Sequence, residues 1–178
     1  MKQAFVIFDR DGTLIDHVHH LVNPDLVQLK KDLGSALQIL KEANFKFGVI
    51  SNQSVIARGL SSSSEVELVN SVIINYLIEL GIVVDFFYYC PHLESDNCTC
   101  RKPKIGFGEK AIFEHNLDPA VSFMVGDQES DILFGKNLGC KTVQVWGNAA
   151  KSDLADYYSD TLESAAKWIL AEKNRKGC

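Results

Sequence analysis

Carboxylates follow two of the short apolar runs in this chain, at the points where strands would end. Asp9 and Asp11 come after the run AFVIF, and Asp127 comes directly after the run SFMVG. Carboxylates this close together repel one another unless a cation lies among them. Mg²⁺ takes oxygen ligands and retains several waters, so two or three aspartates together with a substrate phosphate suit it. The pattern therefore predicts a magnesium site that acts on phosphate esters.

Two of these aspartates can divide the work of phosphate-ester hydrolysis. One can serve as the covalent nucleophile and form an aspartyl-phosphate, while a second carboxyl protonates the leaving oxygen and then activates water. Asp9 and Asp11 fit these two roles. The oxygens of the ester also need donors where charge develops. Ser51, at the end of the apolar run KFGVIS, and Lys102 are the candidates for that task.

Residues 90–103, CPHLESDNCTCRKP, form a segment that we call the Cys/His loop. Its spacing, C-x-H followed by C-x-C, matches a closed tetrahedral zinc site of the Cys₃His type. The candidate ligands are Cys90, His92, Cys98 and Cys100. Such a site contributes on the order of 10 kcal/mol to local folding. With zinc bound, the loop delivers Arg101 and Lys102 to the phosphate site; the alternative is a group of free buried cysteines.

Short β-rich runs alternate with helical patterns, which predicts a mainly parallel sheet with helices on both faces. The predicted strands are residues 4–8, 46–51, 85–90, 122–126 and 141–146. Apolar spacings of three and four predict helices around Leu33–Ala43 and Val66–Leu80, with Ser62 or Ser64 as N-cap of the second. The expected fold is a doubly wound α/β domain of the Rossmann type, in which ligands bind beyond the carboxyl ends of the strands.

Length and charge narrow the class of protein. The 178 residues fit one domain covering residues 1–178, with KNRKGC at its end as a frayed tail. A net charge of -5 argues against nucleic acid or an anionic membrane as partner, and leaves a small phosphorylated molecule held at a local site. No segment has the length of a signal-peptide core or a membrane span, so we expect a cytoplasmic protein, and we expect a monomer.

The motifs together resemble the four signature motifs of the haloacid dehalogenase (HAD) superfamily, in the right order and over most of the chain. DRDGT at 9–13, Ser51, Lys102 and Asp127 carry the resemblance, with Asp131 as a supporting residue behind the metal. FDRDGTLI, SNQSVIARG, the Cys/His loop and MVGD resemble the subfamily that contains heptose bisphosphate phosphatases and histidinol-phosphatases. A HAD-like fold is implied, and the short gaps between the first motifs leave no room for a separate cap domain.

The resemblance also implies roles for single residues. Asp9 is the implied nucleophile and Asp11 the implied acid and base. Ser51 and Lys102 are implied to stabilise the phosphoryl oxygens. The implied magnesium ligands are Asp9, Asp11 and Asp127, with Asp11 acting through its backbone or its side chain.

Further residues are implied on the substrate side of the site. They are Asn52, Gln53, Ser54, Arg58, Arg101 and Gln128. Two positions depart from the family pattern. Val55 stands where the family usually has glycine, and a β-branched residue resists positive φ. Gln128 stands where lysine or arginine is usual, which removes a cation from the rim of the pocket. The histidines of HVHH (17–20) are expected in a solvated loop beside the substrate.

The favoured function is Mg²⁺-dependent removal of the 7-phosphate of heptose 1,7-bisphosphate, for surface polysaccharide synthesis, with Zn²⁺ as a structural cofactor. The segment SNQSVIARG supports this hypothesis. The alternative is a histidinol-phosphate phosphatase, which the short spacing between His92 and Cys98 favours. A binding protein without turnover and an enzyme of nucleic-acid ends are further hypotheses. The intact acidic motifs argue against the first, and the acidic charge balance argues against the second.

Overall fold

A six-stranded sheet forms the centre of the computed structural model, which describes residues 2–146 and 151–176. The strands are β1 Phe5–Phe8, β2 Lys46–Asn52, β3 Val84–Cys90, β4 Phe123–Gly126, β5 Lys141–Val145 and β6 Tyr157–Ser159. The helices are α1 Leu33–Glu42, α2 Ser63–Glu79, α3 Gly106–His115, α4 Glu129–Leu138 and α5 Leu162–Lys176. Every strand pair is parallel, and the strand order is β3-β2-β1-β4-β5-β6. This is the doubly wound order of dinucleotide-binding folds.

Strand β1 divides its side chains between two apolar cores, because successive side chains of a strand point to opposite faces. Val6 and Phe8 pack in the core that includes α1, α2 and α5. Phe5 and Ile7 pack in the core that includes α3 and α4. With both faces covered, the strand reads as a continuous apolar run rather than an alternating one. The predicted fold class, a parallel sheet between two helical layers, is confirmed.

The strand order reverses between β1 and β4, and this reversal positions the site. Connections leave β1 and β4 toward opposite faces, so a crevice opens beyond their carboxyl ends. The β1 backbone pairs with β4 from Val6 opposite Phe123 to Phe8 opposite Val125. Residues that follow the two strands therefore start at the same level of the sheet. The segments carrying Asp9 and Asp127 meet there.

Helix α2 begins where the serine run predicted. The Ser62 hydroxyl accepts a hydrogen bond from the Glu65 backbone N–H, and the Glu65 carboxylate accepts one from the Ser62 backbone N–H. This reciprocal capping box satisfies two donors that the first turn leaves unpaired. None of the described helices has both the length and the apolar character needed to cross a membrane.

The C-terminal part of the chain differs from the sequence prediction. Strand β6 and helix α5 were not predicted; β6 has only three residues, too few for a clear pattern. The prediction of a frayed tail is wrong for residues 173–176, because α5 continues to Lys176. The Lys173 ammonium also bonds the carbonyl of Ala43 at the end of α1, which ties the end of α5 to the domain. Cys178 lies outside the described residues.

Candidate active site

Three aspartates, which we name the carboxylate centre, lie beyond the carboxyl ends of β1 and β4. The oxygens of Asp9, Asp127 and Asp131 lie within 4.8 Å of one another. The Lys102 ammonium enters this group from the Cys/His loop, 2.6 Å from Asp9 Oδ1 and 2.7 Å from Asp131 Oδ1. Its third contact is the backbone carbonyl of Ile50, at 2.5 Å. The fold thus brings together side chains from three separate segments of the chain and a backbone carbonyl from a fourth.

Asp127 is positioned by the residue that follows it and by a glycine opposite. Gln128 Nε2 donates to Asp127 Oδ2 over 2.5 Å, and the Gln128 backbone N–H donates to Asp131 Oδ2 over 3.0 Å. Gly12 has a φ of +82°, and a Cβ there would lie 2.6 Å from Asp127 Oδ2. Only glycine fits, since a side chain would be strained and would displace the carboxylate. Gln128, predicted to contact substrate, also holds Asp127.

Burial makes the carboxylate centre costly to charge. Burial raises the pKa of Asp9 to about 8; the Lys102 ammonium opposes this rise, whereas neighbouring carboxylates, Asp131 first, add to it. Burial and the Asp131 carboxylate likewise raise the pKa of Asp127 to about 6. Burial disfavours the Lys102 ammonium, but Asp131 and Asp9 outweigh it and raise the Lys102 pKa above its usual value. One ammonium does not balance three carboxylates, so a further cation is favoured.

One atom of the centre supports the same conclusion. Asp127 Oδ1 is buried, and no hydrogen-bond partner for it exists among the described residues. A buried acceptor without a donor costs about 1–3 kcal/mol. A hard divalent cation would bind this oxygen as a ligand and would balance the excess negative charge. An all-oxygen donor set suits Mg²⁺. The Asp11 side chain is not part of this group, which leaves its backbone carbonyl as the Asp11 atom to propose as a ligand.

The Asp11 carboxylate is held instead by its neighbours Arg10 and Gln53. Arg10 Nε lies 3.0 Å from Asp11 Oδ2, and Gln53 Nε2 lies 2.6 Å from the same oxygen. Gln53 Nε2 also donates to Ser51 Oγ over 2.6 Å. Ser51 and Asp11, both predicted to act on the phosphoryl group, are therefore joined through one amide. Gln53, predicted to contact substrate, has its amide engaged by protein atoms and is buried.

The four predicted zinc ligands of the Cys/His loop lie together. Cys90 Sγ lies 3.6 Å from Cys98 Sγ and 3.3 Å from Cys100 Sγ, and His92 Nδ1 lies 3.3 Å from Cys100 Sγ. Zinc at about 2.3 Å from sulfur and about 2.0 Å from nitrogen separates tetrahedral ligands by roughly 3.5–3.8 Å. The observed spacings of 3.3–3.6 Å lie at or somewhat below that range, so the four side chains are close enough to share one ion. No disulfide joins these cysteines in the described part of the chain, which keeps the thiols available as ligands.

Asn52 connects the end of β2 to the Cys/His loop. Its Nδ2 donates to the Lys102 carbonyl over 3.1 Å, and its Oδ1 accepts from the Lys102 backbone N–H over 3.0 Å. Both polar atoms of this side chain, predicted to contact substrate, thus hold the backbone of Lys102. Arg101 Nη1 donates to the His92 carbonyl over 3.3 Å, so the loop also braces its own arginine.

A cavity of about 660 Å³ opens over these groups. Its lining includes Asp9, Asp11 and Ser51 together with Arg101 and the HVHH segment 17–20. Pockets for small molecules usually measure about 300–1,000 Å³. The predicted position of the histidine-rich loop beside the substrate space is thus matched by the walls of this cavity.

Three residues near the end of β2 differ in their relation to the cavity. Ser54 and Val55 line it. Arg58 does not line it; this exposed side chain lies 3.5 Å from Ser54 Oγ through its Nε. Val55 is not among the described residues with positive φ and is nearly buried, so the loop does not need the glycine that the family pattern has there.

Three residues that support the site had no role assigned from the sequence, although Arg10 lies within the first motif. Arg10 and Asn70 are buried and hydrogen-bonded to each other. Trp146 Nε1 donates to the Gly12 carbonyl over 2.6 Å and holds the turn after β1. A signal for Asn70 was present, since it is the one polar residue on the apolar stripe of α2, between Val66 and Ile73.

Comparison with known proteins agrees with this geometry. The HAD-hydrolase-like family model matches residues 99–166. The D-glycero-beta-D-manno-heptose-1,7-bisphosphate 7-phosphatase of Haemophilus ducreyi is 40% identical over 152 residues, which are 80% of this chain and 82% of the relative. The histidine biosynthesis bifunctional protein of Campylobacter jejuni subsp. doylei is 30% identical over 174 residues, 94% of this chain but 49% of that protein. The chain thus spans about half the length of such bifunctional relatives.

The fold agrees with solved structures as well. The D,D-heptose 1,7-bisphosphate phosphatase from B. bronchiseptica, solved with magnesium and phosphate, superposes with a TM-score of 0.85 at 27% identity and covers 96% of this chain and 99% of that one. Identity and coverage of this extent, together with the carboxylate centre, lead to one family assignment. The chain belongs to the haloacid dehalogenase superfamily, as a phosphatase related to the heptose bisphosphate 7-phosphatases.

Proposed function

We propose that this chain hydrolyses the 7-phosphate of heptose 1,7-bisphosphate with Mg²⁺, through an aspartyl-phosphate on Asp9. The observation that carries the proposal is the buried, unpartnered Asp127 Oδ1 next to Asp9, in a chain 40% identical to a heptose bisphosphate 7-phosphatase. A carboxylate centre in which Asp9 and Asp131 line a cavity and Asp127 has an unused ligand atom suits a phosphate ester that arrives with its metal ion.

In the first step Asp9 attacks the phosphorus atom. Lys102 holds Asp9 Oδ1, so Oδ2 is the oxygen that forms the new bond to phosphorus. The bond from phosphorus to the sugar oxygen breaks, and Asp11 donates a proton to that leaving oxygen. Ser51 Oγ accepts from Gln53, which leaves its own hydroxyl hydrogen to donate to a phosphoryl oxygen.

In the second step water releases the phosphoryl group from Asp9. Asp11, now ionised, accepts a proton from the water as its oxygen bonds to phosphorus, and the acyl-phosphate bond breaks to restore the Asp9 carboxylate. One carboxyl group thus acts as acid and then as base. Its side chain is about one-fifth exposed and faces the cavity, so water can reach it.

Asp9, Asp127 and the Asp11 backbone carbonyl would hold Mg²⁺. When bound, the ion neutralises the carboxylates and the charge that develops on the phosphoryl oxygens. Cys90, His92, Cys98 and Cys100 would hold a structural Zn²⁺, which fixes the Cys/His loop without touching substrate. In this proposal the reducing cytoplasm suits the three thiol ligands, and the protein acts as a monomer whose single domain contains the whole site.

Arg101 is the proposed contact for the part of the substrate that does not react. It lines the wall of the cavity next to Lys102, and its planar fork suits bidentate recognition of a phosphate or of hydroxyl groups. Asn52, Gln53 and Gln128 have polar atoms engaged by the protein, so we assign them to holding the site, whereas Ser54 remains a substrate-side candidate. Arg58, outside the cavity lining, acts at most on its outer rim.

The experiment compares kcat/KM for heptose 1,7-bisphosphate and histidinol phosphate with Mg²⁺ at fixed ionic strength. We expect the bisphosphate to be preferred and its 1-phosphate to remain in the product, which phosphorus NMR reports. The Arg101→Ala variant should lose more activity on the bisphosphate than on a simple monophosphate ester. A wild-type preference for histidinol phosphate would reject the substrate assignment in favour of the alternative that the bifunctional histidine-biosynthesis relatives suggest.

A further inference from the structure

Arg10, between the two aspartates of the first motif, is the largest fully buried side chain of the described residues. A guanidinium is buried at high cost unless its donors are paired. Arg10 makes four hydrogen bonds: two to Asp11, one to Gln53 Oε1 at 2.8 Å and one to Asn70 Oδ1 at 2.8 Å. We infer that Arg10, Gln53 and Asn70 form a clamp that fixes the Asp11 carboxylate and selects the oxygen through which it exchanges protons.

The two oxygens of Asp11 are not equivalent in this clamp. Among the described residues, Oδ2 accepts from Arg10 Nε and from Gln53 Nε2, whereas Oδ1 accepts only from Arg10 Nη2, at 3.0 Å. Each carboxylate oxygen offers about two lone-pair sites. Both sites of Oδ2 are used, and one site of Oδ1 is left. Oδ1 is therefore the oxygen that carries the proton to the leaving group and receives one from water.

Gln53 joins the clamp to the phosphoryl site. Its Oε1 accepts from Arg10, and its Nε2 donates to both Asp11 Oδ2 and Ser51 Oγ, at 2.6 Å each. An amide has an oxygen that accepts and a nitrogen that donates, so Arg10 fixes which way the Gln53 amide lies. Gln53 thus connects Asp11 to Ser51 through bonds that do not involve Asn70, so the loss of Asn70 should disturb Asp11 and leave the bond to the Ser51 hydroxyl in place.

Asn70 is the far end of the clamp, on α2 and away from the cavity lining. It is nearly buried on a stripe of apolar side chains, where a polar residue is costly unless it is bonded. Its Oδ1 accepts a hydrogen bond from Arg10 Nη1. The other two nitrogens of the guanidinium, Nε and Nη2, then face Asp11 as a fork. Asn70 is a positioning residue in this proposal, since it reaches the substrate only through Arg10 and Asp11.

The proposal rests on the proposed role of Asp11 as acid and base, and it has a consequence that a purely structural Asn70 would not have. An alkyl phosphate such as glycerol phosphate needs a proton on its leaving oxygen, whereas 4-nitrophenyl phosphate releases 4-nitrophenolate, which is stable as an anion. Since kcat/KM reports the step in which the leaving group departs, a misplaced Asp11 should affect the alkyl ester selectively.

The experiment measures kcat/KM for these two esters in Asn70→Leu and in wild type. We expect a loss of at least about tenfold on glycerol phosphate, since general acid catalysis contributes roughly 10²–10⁴-fold, and a loss within about threefold on 4-nitrophenyl phosphate. The variant Asn70→Asp keeps an oxygen acceptor for Arg10 and should restore the wild-type ratio. Asn70→Ala provides the same test if the leucine variant does not fold.

Val69→Ala is the matched control, because Val69 is buried beside Asn70 on α2 but has no part in the clamp. The Val69→Ala substitution should lower thermal stability and leave the ratio of kcat/KM for the two esters unchanged. Equal losses on both esters in Asn70→Leu, as in the control, would overturn the clamp while leaving the phosphatase function intact. A wild-type protein that hydrolyses neither these two esters nor heptose 1,7-bisphosphate would overturn both.

Discussion

The carboxylate centre and the Cys/His loop meet at Lys102, but they are held in different ways. The centre follows two paired, buried strands, and hydrogen bonds from Lys102, Gln128 and the backbone fix its side chains. The Cys/His loop has no strand or α-helix between β3 and α3, and most of residues 93–99 are exposed. The fold itself therefore positions the first region, whereas we propose that the second depends on a zinc ion held by its four candidate ligands.

Because of that difference, variants of the two regions should lose activity in different ways. Damage within the carboxylate centre should remove the chemistry and leave the fold, because the sheet holds the surrounding backbone. Damage to the Cys/His loop should leave the chemistry possible and misplace Lys102 and Arg101, which the loop carries.

The largest effect is expected from Asp9→Asn. The amide cannot form an acyl-phosphate, so kcat should fall by at least about 10⁴-fold, as for other enzymes that lose a nucleophile. Circular dichroism and thermal melting should show an intact fold. Asp16→Asn is the control: Asp16 lies nearby but pairs with Lys30 at 2.6 Å, and its loss should change kcat only slightly. An Asp9→Asn variant with a tenth of the wild-type rate would reject covalent catalysis.

A smaller effect is expected from Cys98→Ser. We expect loss of the one zinc ion per chain and a fall in kcat of roughly a hundredfold, because a displacement of about 1 Å of catalytic donors costs that much. Elemental analysis measures the zinc content, and steady-state kinetics measure kcat. Cys140→Ser is the control, since this buried thiol lies outside the loop and its loss should cost stability but not zinc. A zinc-free Cys98→Ser protein with full activity would separate the loop from catalysis.

A third variant tests the contact that connects the two regions, the hydrogen bonds of Asn52 to the Lys102 backbone. Asn52→Ala removes both hydrogen bonds that hold the Lys102 backbone, so kcat should fall by about tenfold while zinc stays bound. Asn137→Ala is a matched control. The exposed Asn137 side chain donates a hydrogen bond over 3.3 Å to the carbonyl of Pro103, which is the residue after Lys102. Equal kinetics in the two variants would show that the loop alone positions Lys102.

The smallest effect concerns pH and Mg²⁺. Folding raises the pKa of Asp127 from 3.8 to about 6 and that of Asp9 from 3.8 to about 8, so the folded state binds more protons than the unfolded state in this window. Without Mg²⁺, stability should therefore fall as the pH rises from about 4 to about 8. Mg²⁺ binds ionised carboxylates, so it should raise Tm more at the alkaline end, by on the order of 5 °C.

Thermal melts with and without Mg²⁺ across this range measure the effect. No chelator is added, so that bound zinc is retained. Asp127→Asn should make the decline between about pH 4 and about pH 6 shallower, because Asp9 alone then contributes to it. A wild-type Tm that rises steadily with pH in the absence of Mg²⁺ would contradict the raised pKa values.

The sequence predicted those parts of the molecule that depend on local pattern. Buried strands and the residues directly after them were recognisable, because a parallel sheet brings its carboxyl ends to one edge. Cys90 and Cys98 were recognisable because ligand spacing is itself a local signal. The hydrogen bonds of Asn52 to Lys102 and of Asn70 to Arg10 were not recognisable. Each joins residues that lie 50 or more positions apart in the chain, and no periodicity links such residues. Strand β6 was missed because three residues carry no clear alternation.

The most direct test of the account is to locate the phosphoryl group on the protein. Asp11→Asn lacks the base for the second step but can still react with 4-nitrophenyl phosphate, whose leaving group needs no proton. Rapid mixing with this ester and Mg²⁺, acid quenching and peptide mass mapping should find about one phosphoryl group per chain, on the peptide that contains Asp9. Turnover with no phosphorylated peptide, or a phosphoryl group on another residue, would contradict the account.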